Sequence, residues 1–182
     1  MIERIIGSFK LGDVMKKGCF FFPILVGIVL YFTPFQQSIT FTETRTEQPS
    51  RYFVPLKGED EFQLIFTHSI HLTDVIESYK VLSTNELQLL SMEYSDVAIG
   101  MPSYAEQGQT LQYENGVYTL RYEDAKIKEF TLHIGDVDYK LNVFYKGEII
   151  SLKEQLTRGK SYVVQVQNLS FYQKMKGVQL YE

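Results

Sequence analysis

Beyond residue 50 the chain alternates between apolar and polar positions. Phe62, Leu64, Phe66 and Ile70 share one side of an extended segment, and Gln63, Thr67 and Ser69 take the other. The same period of two places Val75, Tyr79 and Val81 opposite Ile76, Ser78 and Lys80. It returns in Phe130, Leu132 and Ile134, in Val137, Tyr139, Leu141 and Val143, and in Tyr162, Val164 and Val166. Strands with one packed and one wet face belong to antiparallel sheets. Turn dipeptides separate the runs: Lys57-Gly58, Asn115-Gly116, Lys146-Gly147 and Arg158-Gly159. Asn-Gly between two short alternating runs is the sharpest of these, because both residues accept the positive φ of a tight hairpin turn. The pattern predicts roughly eight or nine short strands, hence an all-β domain built as an antiparallel β-sandwich or flattened barrel. One short helix is expected between Ser151 and Leu156.

The N-terminal segment reads differently. No charged side chain occurs between Lys17 and Glu43, and the run from Gly18 to Phe35 is almost wholly apolar. Its length is close to that of a membrane span, with Tyr31, Phe32 and Phe35 where an interfacial aromatic belt would lie. Lysines on the upstream side alone orient the N-terminus inward. The run is followed by no small-residue cleavage pattern, which favours an uncleaved anchor over a signal peptide. The expected organisation is therefore a cytoplasmic N-terminus at 1–17, a transmembrane helix at 18–35, a linker at 36–50 and an extracytoplasmic β domain at 51–182. The protein is expected at the cell membrane as a single-pass chain.

Charge and cysteine content narrow the functions further. Residues 36–182 carry a net charge of about −6, so the basic footprint of phosphate recognition is missing and nucleic acid is set aside as a partner. The single cysteine, Cys19, opens the apolar run; it permits no disulfide within the domain and reads as a small apolar membrane residue. No G-x-S-x-G elbow and no glycine-rich phosphate loop occurs, so no catalytic residue, cofactor or metal is assigned. The expectation is a protein that is not an enzyme.

Polar residues on an otherwise apolar face are the candidates for a site. If His71-Leu72-Thr73-Asp74 forms a tight turn, Ile70 faces Val75, His68 faces Glu77 and Phe66 faces Tyr79. His68 and Glu77 would then be a buried pair, since a buried charge needs a partner. This arrangement reads either as a structural cross-strand pair or as a ligand-contacting dyad at a pocket mouth. A metal site at His68, His71 and Glu77 is a weaker option, because histidines three apart on a strand point to opposite faces. Ser69 cannot share a face with His68, and His133 lies on a polar face and reads as solvated.

The same stretch carries a resemblance. Phe66-Thr67-His68-Ser69-Ile70, then Val75, Glu77 and Tyr79, then Gly100-Met101-Pro102, resembles the bacterial family called domain of unknown function 1850. Members of that family are short and begin with a hydrophobic segment. The family's glycine-rich S-G-A-G stretch stands here as Ser95-Asp96-Val97-Ala98-Ile99-Gly100. The resemblance implies His68, Ser69, Glu77 and Tyr79 as site residues. It also implies an accessory role beside TRAP-type (TAXI) uptake systems, with the permease or the solute-binding protein as partner. A stand-alone cell-surface module binding a small ligand or ion is the alternative, and an envelope structural protein a third. The Ile99–Gly108 segment, with Met101, Pro102 and Tyr104 at its centre, is the candidate partner loop, because long loops on rigid β scaffolds tend to carry function.

Overall fold

The computed structural model describes residues 11–57, 61–97 and 100–180, with side chains from residue 22 onward. A helix, α1 (Leu11–Phe32), leads directly into twelve strands and two short helices. Sheet A has five strands: β1 (Gln36–Glu43), β2 (Arg51–Pro55), β8 (Glu129–His133), β11 (Ser161–Leu169) and β12 (Val178–Gln179), in the order β12-β2-β1-β11-β8. Sheet B has seven: β3 (Glu61–Thr67), β4 (Asp74–Val81), β5 (Leu87–Tyr94), β6 (Gln109–Glu114), β7 (Val117–Ile127), β9 (Leu141–Tyr145) and β10 (Glu148–Ser151), in the order β10-β9-β3-β4-β5-β7-β6. Neighbouring strands are antiparallel except the short β12–β2 pair.

The two sheets pack as a sandwich. Ile39 and Phe41 on β1, Val54 on β2 and Tyr162, Val164 and Val166 on β11 meet Phe62, Leu64, Tyr79, Val81, Leu141 and Val143 of sheet B in one core. These are the inward positions of the alternation, so the all-β, sandwich-like reading of the sequence stands. Sheet B is the wider sheet, and its far end builds a second, smaller core from Val75, Tyr94 and Leu120. Asn115-Gly116 turns β6 into β7 with φ of 51° and 85°, and Lys146-Gly147 turns β9 into β10 with 53° and 82°. Both are the left-handed pair that a two-residue hairpin of native twist requires. The short helix expected near Ser151 is α2 (Leu152–Gln155). A further helix, α3 (Phe171–Lys176), had no periodic signal because it is under two turns long; its N-terminus is fixed by a capping box between Ser170 and Gln173.

Three expectations require correction. Residues 36–50 do not form a linker over their first half. Gln36–Glu43 is β1, hydrogen-bonded to β2 on one side and β11 on the other, because Ile39 and Phe41 supply core side chains. The extended run expected at Val137–Val143 is strand only from Leu141, where β9 begins, and residues 135–140 form an irregular crossing with Tyr139 N–H bonded to the Val137 carbonyl. The transmembrane helix at 18–35 is not supported: among the described residues, no helix is long and apolar enough to cross a membrane. α1 stops at Phe32, where Thr33 precedes Pro34 and the residue before proline is pushed out of helical conformation. Its uncharged portion, Gly18–Phe32, rises only roughly 22 Å at about 1.5 Å per residue, against a hydrocarbon core of about 30 Å. The first ten residues of the expected cytoplasmic N-terminus, the side chain of Cys19 and Gly58 of the Lys57-Gly58 turn lie outside the described residues.

Candidate functional site: a carboxyl at the floor of an intersheet cleft

Strands β3 and β4 carry most of the predicted site, in a different register from the one expected. The ladder sets Phe66 opposite Val75, Leu64 opposite Glu77 and Phe62 opposite Tyr79. The connection is a loop from His68 to Thr73, closed by His68 N–H to the Thr73 carbonyl (2.8 Å) and Leu72 N–H to the His68 carbonyl (2.9 Å). Leu72 occupies the left-handed region at φ 56°, a conformation that nothing in a Leu residue advertises. The pairing therefore slips by four residues relative to the tight-turn expectation. An even slip keeps every side chain on its own face while changing its opposite number. Glu77 does lie on the inner face, but His68 is not its cross-strand partner.

Glu77 instead accepts a 2.7 Å hydrogen bond from the Tyr79 hydroxyl. Tyr79 is held flat between Phe62 and Phe130, with centroids 5.3 and 5.7 Å away and planes within 15°. Burial pushes the Glu77 carboxyl above the usual carboxylate range, and the Tyr79 hydrogen bond offsets only part of that. Burial, followed by the Glu77 charge and hydrogen bond, drives the Tyr79 hydroxyl far above the ordinary phenol value. Tyr122 rises as well, through burial and then the Glu77 charge. Two forces thus compete at Glu77, and desolvation wins.

The carboxyl lines a cleft of about 460 Å³ between the sheets. One wall is Leu64, Phe66 and Leu141 of sheet B, and the other is Phe130 and Leu132 on β8, the edge strand of sheet A. Thr67, Ser69, His133, Lys140, Lys153 and, from the 135–140 crossing, Gly135, Val137 and Tyr139 complete the lining. The lysines have local partners: Lys140 bonds Asp74 Oδ2 at 2.7 Å, and Lys153 donates to the Val137 carbonyl. His133 is exposed as expected but not idle, since Nδ1 lies 3.0 Å from Ser161 Oγ and its side chain borders the cleft. β8 itself is legible in the alternation, but its place in one cleft with β3 and β4 is not, because the walls come from segments some sixty residues apart. The available signal was Phe130 and Leu132, apolar positions that the core leaves only half covered.

His68 belongs to a separate cluster in the β3–β4 loop. Its Nδ1 accepts long 3.4 Å bonds from the backbone N–H of Ile70 and His71, and its ring lies 5.3 Å from that of His71. His71 Nδ1 sits 3.2 Å from Asp96, and Gly100, at φ 91°, passes beside the His68 ring. The metal set of His68, His71 and Glu77 is therefore not assembled: the two histidines stay in the loop, and Glu77 turns to Tyr79. The candidate partner loop is divided too. Met101 packs against the smaller core, Pro102 O accepts a 2.6 Å bond from Tyr94, and Tyr104 stands 68% exposed. Ile99, at the start of that loop, lies outside the described residues.

These features define a two-sheet antiparallel β domain with one titratable carboxyl at the base of an apolar intersheet cleft. The chain belongs to the family described as Domain of unknown function (DUF1850), whose model matches residues 62–152. That stretch contains sheet B from the second residue of β3 onward, together with β8, and so both apolar walls of the cleft. No curated protein and no solved structure matches the chain.

Proposed function

We propose that this protein is a small-ligand-binding β module held at a membrane surface by α1, its ligand an apolar molecule bearing an amine. The observation that carries this reading is Glu77. A desolvated carboxyl facing an apolar cleft, with one hydroxyl donor and no cation offsetting its charge among the described residues, is a poor structural device and a good receptor for a cation. A sizeable apolar pocket with one convergent polar group whose pKa is perturbed is the usual form of a small-molecule site. His68 takes no part in this site. Ser69 does, as part of the cleft lining, and Tyr79 acts through its hydrogen bond to the carboxyl.

The tether follows from α1. Phe22, Ile24, Leu25, Ile28, Val29, Leu30 and Phe32 are exposed along it, and a helix apolar on several sides is stable only in an apolar surrounding. Too short to cross, such a helix can still bury its apolar side chains in the outer part of one leaflet, with flanking lysine stems reaching to the headgroups.

The test is calorimetric titration of the full chain in nanodiscs with benzylamine, benzyl alcohol and benzoate. Saturable binding of benzylamine alone, lost in Glu77→Gln, supports the reading. Equal uptake of all three probes, or undiminished benzylamine binding by the variant, refutes it. An accessory role beside a TRAP-type (TAXI) permease or solute-binding protein is the second reading, favoured by exposed Tyr104 on a loop whose Met101 and Pro102 are held by contacts. Recovery of a transporter component by the tagged wild type but not by Tyr104→Ala would favour it.

A further inference from the structure

The foot of α1 does not stand alone. β1 and β11 pair from Gln36↔Leu169 onward, and Phe35 N–H bonds the Leu169 carbonyl at 3.2 Å. α3 therefore starts where α1 ends, and the capping box on Ser170 turns the chain there instead of letting it trail. The two helices lock through aromatic contacts. Phe171 lies 4.5 Å from Phe35, Tyr172 lies 5.1 Å from Phe32 and 6.0 Å from Tyr31, and the Tyr31 hydroxyl reaches Met175 Sδ at 3.4 Å.

This junction is apolar on its outer side. Phe32, Phe35, Phe171 and Met175 are all at least half exposed, Met175 most of all at 76%. Lys174 and Lys176 rim it, with their ammonium groups 5.7 Å over Phe35 and 4.6 Å over Tyr172. Between Lys160 and Glu182 these two are the only charged residues, so a chain that is acidic elsewhere is locally basic here. Aromatic rings with lysines at one level, continuous with an apolar helix, match the headgroup boundary of a bilayer, where amphipathic rings and cationic heads both find partners.

We infer that α3 and the foot of α1 form a lipid-docking surface that seats the β domain directly on an anionic bilayer. This rests on the proposed membrane insertion of α1. It fixes the orientation of the domain: only three residues separate α1 from β1, so the sandwich cannot drift on a flexible stalk.

Site-directed spin labelling of the full chain tests it. Cys19→Ser protein carrying Met175→Cys, Val29→Cys or Tyr104→Cys is labelled with a nitroxide and reconstituted in phosphatidylcholine–phosphatidylglycerol vesicles. Collision with oxygen, which favours lipid, is compared with collision with a water-soluble nickel chelate. The labels at 175 and 29 should both favour oxygen by several-fold, and the label at 104 should favour the chelate. A label at 175 that behaves like 104, while 29 reports lipid, overturns the docking surface and leaves the tether intact. Water exposure at both 29 and 175 removes both readings, whereas lipid at 175 with water at 29 supports docking without insertion. Strong spin–spin broadening at 175 would identify a second copy of this chain as the occupant and overturn the lipid assignment.

Discussion

Replacing Glu77 by Gln should stabilise the domain at alkaline pH and leave it unchanged in acid. The side chain lies among Leu64, Phe130, Leu132 and Leu141, and of roughly four acceptor positions on an ionised carboxylate the Tyr79 hydroxyl fills one. Because burial raises the folded-state pKa above the ordinary 4.5, the folded protein holds the Glu77 proton more tightly than the unfolded chain does. Below pH 4.5 both states are protonated and the group has no effect on the balance. As pH climbs from there through the folded-state value, stability falls, and above it the loss is complete. Gln keeps the hydrogen bond from Tyr79 and has no charge to desolvate. The gain should be on the order of 1 kcal/mol, the low end of the cost of a buried polar group short of hydrogen-bond partners. For a domain of this size that is a rise in Tm of about 3 °C at pH 8 and none at pH 4. Scanning calorimetry of wild type and E77Q in detergent between pH 4 and pH 8 reads both numbers. A difference that does not depend on pH, or a variant less stable at pH 8, would falsify the claim that desolvation dominates at Glu77.

Three further outcomes are expected. Tyr79→Phe should cost about 1–3 kcal/mol in urea unfolding at pH 8, by leaving a half-buried carboxylate without its donor, and distinctly less in the E77Q background. Asn115→Val should cost about 1–2 kcal/mol by forcing a β-branched residue to φ 51°, with the same unfolding curve as its readout. Benzylamine affinity should strengthen as pH rises above the ordinary carboxylate range and Glu77 ionises, and calorimetry showing the opposite trend would reject Glu77 as the cation receptor.

Sequence alone determined which side chains face inward. Period-two alternation names the core face of β3, β4, β8 and β11 without reference to any neighbour, since each strand must bury one side. It also determined the Asn115-Gly116 and Lys146-Gly147 hairpins, because their left-handed φ values follow from the chemistry of those residues. Family membership was readable from the His68-Ser69 and Glu77-x-Tyr79 pieces. What it could not determine was register. Leu72 enters the left-handed region only because the surrounding loop closes on it, so the β3–β4 connection runs longer than a tight turn. The resulting slip, being even, preserved the face and changed the partner. Glu77 was therefore visible as an inner-face carboxyl, while its bond to Tyr79 was not. The span of α1 was misjudged in the same way: composition counts apolar residues, but Pro34 and the start of β1 decide where the helix ends. The cleft belongs wholly to tertiary structure. β8 reaches β3 and β4 only by pairing with β11 in the opposite sheet, a contact between segments whose sequences carry no record of each other.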